Sequence, residues 1–252
     1  AVVTAWQRRV RDVPGVGFEF RHCDGDNNLY RKPTRTDPVA IATESQFADD
    51  SALFATTRAG AETALAVFDT TAAEFGLKVS ATKTQFLVAG RDVSPGDCAP
   101  IELAGTVIEC VSEFRYLGSL IHRGGRSTQD ITARIAHASR ACGALQGTIF
   151  SNSDLDLHIE RCVFSACVLS LLLYGSECWT PLQHDLQRLS VFHMRCIRSI
   201  LGVSRRDCWN NHTTNAQLLE MWGDSDTICV KVAQRRLEWL GHVARMDSSR
   251  MP

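Results

Sequence analysis

Two aspartates stand side by side, Asp49 and Asp50, between two runs of strand-forming residues at 39–47 and 51–56. Adjacent carboxylates repel each other, so packing alone gives no reason to place them at a turn. A divalent cation resolves the conflict, and magnesium takes carboxylate oxygen together with waters and substrate phosphates. Read by themselves, the two residues fit a solvated turn better, because aspartate is a common turn residue. A second chemistry-bearing pattern lies further on. In residues 182–201, His184, Arg188, Arg195 and Arg198 fall on one helical face opposite an apolar stripe, and Arg205 and Arg206 follow. Such a face can contact phosphates, where a planar guanidinium donates two parallel hydrogen bonds; a solvated helix face is the alternative. Arg134, Arg140, Arg235 and Arg236 are further candidates. Other constellations are weaker. Asp24, Asp26 and Asn28 hint at a calcium loop, but Leu29 and Arg35 occupy positions that need glycine and glutamate. Cys196, Cys208 and His212 can be drawn around zinc, with a spacing that matches no standard finger. The ten cysteines form no Cys-x-x-Cys pair, which suits reduced structural thiols better than a disulfide framework.

The elements that would position these groups can be read from periodicity. A helix end at 1–12 stops at Pro14-Gly15, and a short strand follows at 17–21. Residues 39–47 and 51–56 form a hairpin around Ala48, Asp49 and Asp50. Ala61, Leu65, Phe68, Ala72 and Phe75 then recur along one face of a helix over 61–75 that ends at Gly76. Short strands are expected at 84–89, 101–103, 106–111 and 115–121. From Ser127 the pattern becomes helical, with a capping-box-like Ser127/Asp130 start and an amphipathic run through Ile131, Ile135, Ala138, Cys142, Leu145 and Ile149. Helices are expected over 156–173, 182–201, 215–222 and 227–245. The expected fold class is α+β, with a mixed part over 1–122 and an all-helical part over 123–252. The five tryptophans are too dispersed for a stacking platform, so core packing is expected for them.

Phe47-Ala48-Asp49-Asp50 flanked by strands, Gly76 to Thr84 after the helix, Phe114-Arg115-Tyr116-Leu117-Gly118-Ser119, Tyr174-Gly175, and the run Arg236 to His242 together resemble the later part of non-LTR (LINE-type) retrotransposon reverse transcriptases. The resemblance implies a partial polymerase palm over 1–122, carrying the acidic and primer-contact hairpins, and a thumb-like helical region over 123–252. It implies RNA-directed DNA synthesis by two-metal nucleotidyl transfer, with Mg2+ held by Asp49 and Asp50 and with an RNA template, a DNA primer and dNTPs as partners. It also implies that Lys83 lies near the departing pyrophosphate, although a surface lysine fits that position too. Tyr116, Leu117 and Gly118 would support the primer terminus, with Tyr116 equally suited to a core. The arginines Arg188, Arg195, Arg198, Arg205 and Arg206 would lie along the nucleic acid. Intracellular residence, in cytoplasm and nucleus, follows from the same resemblance. The family needs a further aspartate upstream of the acidic hairpin, and only 48 residues precede Asp49. The expectation is therefore a fragment, inactive alone. A nucleic-acid-binding remnant without enzymatic activity, or a decayed frame, is the alternative.

Composition limits the rivals. The formal net charge of −1 excludes binding by sheer basic excess, and no apolar run approaches the length of a membrane span. Charge is unevenly placed, however, with net −4 over residues 1–112 and net +3 over 113–252, so the second part is the better candidate for phosphate contact.

Overall fold

The computed structural model describes residues 1–21, 34–36, 39–90, 93–152 and 154–246. The chain is α+β and divides into two compact units, one chiefly Ala1–Gly118 with His122–Gly125, the other Arg126–Arg245 with Ser119–Ile121. The calcium-like run 24–28 lies outside the described residues.

In the first unit, helix α1 (Val2–Val10) buries Trp6 and Val10. The Trp6 indole N–H donates to the Ala64 carbonyl at 3.0 Å, and its ring meets Phe68 edge-on at 5.9 Å. Strand β1 (Phe18–Arg21) pairs antiparallel with β2 (Val39–Ala42), and β3 (Glu44–Phe47) pairs antiparallel with β4 (Asp50–Leu53). The run expected as one strand over 39–47 is thus two, because the chain changes partner at Thr43, whose carbonyl accepts from Phe54 N–H. Helix α2 (Arg58–Glu74) begins earlier than expected because Thr57 caps it, its side chain accepting from Gly60 N–H. Gly60 is obligatory, since a Cβ there would stand 2.3 Å from the Gly15 carbonyl oxygen. α2 separates two small cores. Ala64 faces Trp6, Val10 and Val16, while Leu65 faces Ile101, Leu103 and Ile108. Strands β5 (Phe86–Leu87) and β8 (Cys110–Val111) pair in parallel, and β6 (Ile101–Leu103) and β7 (Thr106–Ile108) pair antiparallel. The last expected strand, 115–121, is instead β9 (Glu113–Tyr116) and β10 (Ser119–His122), paired with each other. It breaks at Leu117 and Gly118, which both have positive φ (48° and 82°), as a type I′ hairpin turn requires.

The second unit is helical: α3 (Thr128–Leu145), α4 (Leu157–Val163), α5 (Ser170–Leu172), α6 (Gln183–Ile200), α7 (Arg205–Asn210), α8 (Asn215–Trp222) and α9 (Ile228–Ala244). The expected helix over 156–173 is interrupted by a π-helical stretch, Phe164–Leu169, and it buries a stripe through Phe164, Val168 and Leu172 rather than its whole surface. α7 has no buried residue, which is why apolar periodicity gives no sign of it. Asp130 does not close a capping box: its carboxylate accepts from the Trp179 indole N–H at 2.9 Å and from Leu120 N–H at 3.0 Å. The core joins Ile131, Ala138, Phe164, Leu172, Leu189, Phe192, Ile197, Leu218 and Trp222. No helix among the described residues is long and apolar enough to cross a membrane.

Two expectations about side chains fail. Trp6, Trp179 and Trp222 are core residues, but Trp209 is 81% and Trp239 40% exposed. Of the thiols expected to be structural, Cys142 and Cys196 are buried, whereas Cys162 and Cys167 are exposed because they lie off the buried stripe.

Candidate functional site

The acidic pair is presented by a tight hairpin. Phe47 pairs with Asp50 across β3 and β4, so the turn is Ala48-Asp49 and Asp50 is the first residue of the returning strand. Ala48 has φ 53° and Asp49 does not share a positive value, the sign pattern of a type II′ turn, in which glycine is the usual first residue. Both carboxylates are exposed, and among the described residues no ion pair or side-chain hydrogen bond engages either of them. Phe47 beside them is also exposed, at 64%. The donors suit a hard cation: two oxygen ligands, open to solvent, with room for waters and phosphate oxygens. They do not make a complete cage, since no group of three potential metal ligands comes together among the described residues. The zinc constellation Cys196, Cys208 and His212 fails on the same ground.

The second hairpin is tied to the first. The Tyr116 hydroxyl, at the end of β9, reaches the Ser45 carbonyl at 3.1 Å and the Ser45 Oγ at 3.2 Å. A contact across 71 positions therefore joins the turn Leu117-Gly118 to the strand leading into Asp49. Tyr116 is half-buried, so its ring packs while its hydroxyl links the two hairpins. Leu117 remains 39% exposed in a left-handed conformation, a placement that costs a branched residue roughly 1–2 kcal/mol. Lys83 lies in the turn before β5, its backbone N–H bonded to the Ser80 carbonyl, and its side chain is exposed. Among the described residues no hydrogen bond or ion pair joins it to the acidic hairpin.

In the helical unit the arginine face of α6 is not opposite the core but beside α3. Arg188 donates to Thr132 Oγ at 2.9 Å and Arg195 to Ser139 Oγ at 3.4 Å; a turn further on, Ser199 donates to Gln146 at 3.1 Å. The partners advance in the same direction on both helices, so α3 and α6 run parallel and these residues rim their seam. Arg195 also lies over the Phe192 ring at 5.3 Å. The buried Asp185 organises the start of α6: it accepts from the Thr128 hydroxyl and Leu182 N–H, and lies 3.2 Å from His184 and 3.9 Å from Arg188. Arg198 is half-buried, and Arg205 and Arg206 are exposed on α7. Arg134 is withdrawn from any phosphate role. It is buried, 3.4 Å from the Asp130 carboxylate and 4.4 Å over the Tyr174 ring. Arg140 and Arg236 are exposed, whereas Arg235 donates to the Leu173 carbonyl at 2.7 Å. That bond brings together the two late motifs. Tyr174-Gly175 and the end of α9 meet at a shallow cleft lined by Glu177, Arg235, Glu238, Trp239 and His242. Gly175 has φ 73°, and a Cβ on it would stand 2.8 Å from Ser119 Oγ.

Sequence reasoning missed Ser45 and Asp185, and read Asp130 only as a helix start. Each looks locally like a strand or helix-start residue, and its partner lies far along the chain.

Buried titratable groups sit beneath this surface. His193, 2% exposed, is pushed down to about 4 by burial and by the Lys231 ammonium, with Asp224 opposing. Between α3 and α6 the Cys142 and Cys196 thiols are in electrostatic interaction. This interaction lowers Cys142 to about 7, with help from Arg195, and raises Cys196.

Two known proteins are similar to the chain. A transposon-derived protein of Caenorhabditis elegans is 28% identical over 214 residues, covering 82% of this chain and 74% of that protein. A protein of Drosophila melanogaster named as a probable RNA-directed DNA polymerase from transposon BS is 27% identical over 128 residues. That match covers 48% of this chain, and only 14% of the length of the Drosophila protein. No family description matches the chain, and no solved structure does. The similarities support a retrotransposon-related protein.

Proposed function

We propose that the chain carries the later palm and the thumb-like helices of a non-LTR retrotransposon reverse transcriptase. One observation carries the reading: the exposed pair Asp49 and Asp50 and the Leu117-Gly118 turn belong to two hairpins joined through Tyr116 and Ser45. Phosphoryl transfer from a dNTP needs carboxylates that hold a metal, and a firm support that sets the primer end against them. Asp49 at the turn would be the principal ligand, with Asp50 beside it. Bound Mg2+ would lower the pKa of the primer hydroxyl and neutralise the triphosphate. Two carboxylates on one turn supply one side of such a site, so the opposing ligand would come from a separate strand of a complete polymerase. Lys83 is retained as a candidate proton donor to pyrophosphate on position in the sequence alone. Arg188, Arg195 and Arg198, with Arg205 and Arg206, would contact the phosphate backbone of the nucleic acid, the Arg188 and Arg195 guanidiniums keeping donors beyond their bonds to α3.

Manganese, a paramagnetic stand-in for magnesium, tests the metal role on the whole chain. Electron paramagnetic resonance should report bound Mn2+ that is lost in Asp49→Asn and weakened in Asp50→Asn; equal binding by wild type and Asp49→Asn would remove Asp49 from the site. Separately, replacing Arg188, Arg195 and Arg198 by Gln should lower the slope of log K against log salt for a duplex by up to about 3, at roughly 0.9 per phosphate contact. An unchanged slope rejects the thumb-face reading.

A second reading, a nucleic-acid-binding module without catalysis, is favoured by the absence of a third ligand near Asp49 among the described residues. Loss of Mn2+ binding with retained duplex binding in the wild-type chain would select it.

A further inference from the structure

α7 is a six-residue helix with no buried side chain, yet it is tied at both ends. At its start Ser204 Oγ accepts from Asp207 N–H, and the Asp207 carboxylate accepts from Ser204 N–H in return. At its end Thr213 N–H reaches back to the Cys208 carbonyl at 2.9 Å, with His212 held at φ 52°, where a glycine would be unstrained. A helix this short does not persist in isolation. The caps, together with Cys208 packed against the core, hold it in place. Its outer surface is what they present. At about 100° per residue, Trp209 projects between Arg205 and Arg206, well away from the Cys208 side. Its neighbours on that surface are Asn210, Asn211 and His212, all exposed, and the carboxylate of α7, Asp207, is turned back onto Ser204.

An indole that is 81% exposed and flanked by two exposed arginines forms no apolar patch with its own helix, whose other apolar residue, Cys208, packs on the core. It matches a base-stacking contact on a single strand, in which an aromatic face takes the base and cations take the phosphates on either side. We propose that Trp209, Arg205 and Arg206 form a binding site for an unpaired nucleotide, with the base on the indole and the adjoining phosphates on the two arginines. The proposal rests on the nucleic-acid reading above and adds to it a place for unpaired strand, distinct from the α3–α6 seam.

The test uses the whole chain and three fluorescent probes of equal length: a single-stranded oligonucleotide, an abasic strand with the same phosphates, and a duplex. Wild type should prefer the base-bearing strand to the abasic one. Trp209→Ala should weaken the base-bearing strand about 5- to 150-fold, the span of one stacked base, and leave the abasic strand unchanged. Trp209→Phe should keep most of the affinity. Because Trp209 is 81% exposed, both variants should retain the wild-type far-ultraviolet spectrum. Arg205→Gln with Arg206→Gln should reduce the single-strand salt slope by about 1.4, at roughly 0.7 per contact. Equal binding of base-bearing and abasic strands by wild type overturns the stacking site while leaving phosphate contact standing. Failure of wild type to bind any probe overturns both this inference and the nucleic-acid reading. If Trp209→Ala alters self-association in sedimentation but not strand affinity, the indole serves a protein contact and the proposal falls.

Discussion

Replacing Tyr116 by Phe removes one oxygen and nothing else. The ring keeps its packing, including its approach to Phe114 at 6.4 Å, while the bond to Ser45 disappears. A hydroxyl has one proton, so the two distances of 3.1 and 3.2 Å describe one shared bond rather than two. A neutral bond of this kind is worth about 1 kcal/mol net. The Ser45 carbonyl is half-buried and would be re-solvated in part, so the loss should not exceed about 1.5 kcal/mol. Hydrogen exchange is the appropriate assay, because it reads the hairpins themselves instead of the whole chain. Protection at residues 44–53 and 113–122 should fall by about fivefold, and by no more than roughly tenfold, in Tyr116→Phe, with residues 128–145 unaffected. Ser45→Ala should do less, since the backbone carbonyl remains as acceptor. If Tyr116→Phe leaves both hairpins as protected as before, the hydroxyl bond does not couple them, and the case for a joined site loses its foundation.

Other outcomes can be read directly from the structure. Leu117→Asn should stabilise the first unit by about 1 kcal/mol in urea denaturation, because asparagine accepts positive φ more readily; destabilisation would mean that the leucine side chain packs usefully. His193 is neutral in the fold down to about pH 4, while the unfolded chain takes up a proton near 6.5. Its folded pKa is depressed, so its contribution is fully present above about 6.5 and is lost as pH falls toward 4, by up to about 3 kcal/mol. His193→Gln should flatten that part of the stability–pH curve, and an equally steep curve would show that other groups set it. Asp130→Asn should cost about 3 kcal/mol, since it leaves the buried Arg134 charge without its carboxylate. A thermal shift within error of wild type would mean that the other contacts of Arg134, Tyr174 among them, suffice to hold it.

The late helices are legible in the sequence because their ends are written in side chains. Thr214 and Thr227 cap α8 and α9, and Gly223 at φ 75° ends α8. The strand count of the first unit is less legible, because it depends on which strand pairs with which. Thr43 and Leu117 look like strand residues, and only the exchange of partners or the sign of φ makes them breaks. The acidic pair can be located at a turn from the sequence, but Asp50 cannot be assigned to the strand, since nothing about alanine announces that Ala48 will take the glycine position. The arginine face of α6 has correct helical spacing and the wrong surroundings. Periodicity finds an apolar stripe, whereas the neighbour at its edge, α3, is a tertiary fact. Trp209 defeats the hydrophobicity rule altogether, because a large apolar residue on a capped, unburied helix follows the needs of a surface.

The seam between α3 and α6 also has the character of a ruler. Its first two rungs, Arg188 on Thr132 and Arg195 on Ser139, are seven residues apart on both helices, which is about 10.5 Å of axial rise. Along its axis a duplex advances about 3.4 Å per base pair, so three base pairs span nearly the same length. A duplex laid with its axis along the seam would meet the two guanidiniums about three base pairs apart, whatever its bases. A deletion of one residue in α6 between the rungs would rotate the second arginine by about 100° and put the two scales out of phase.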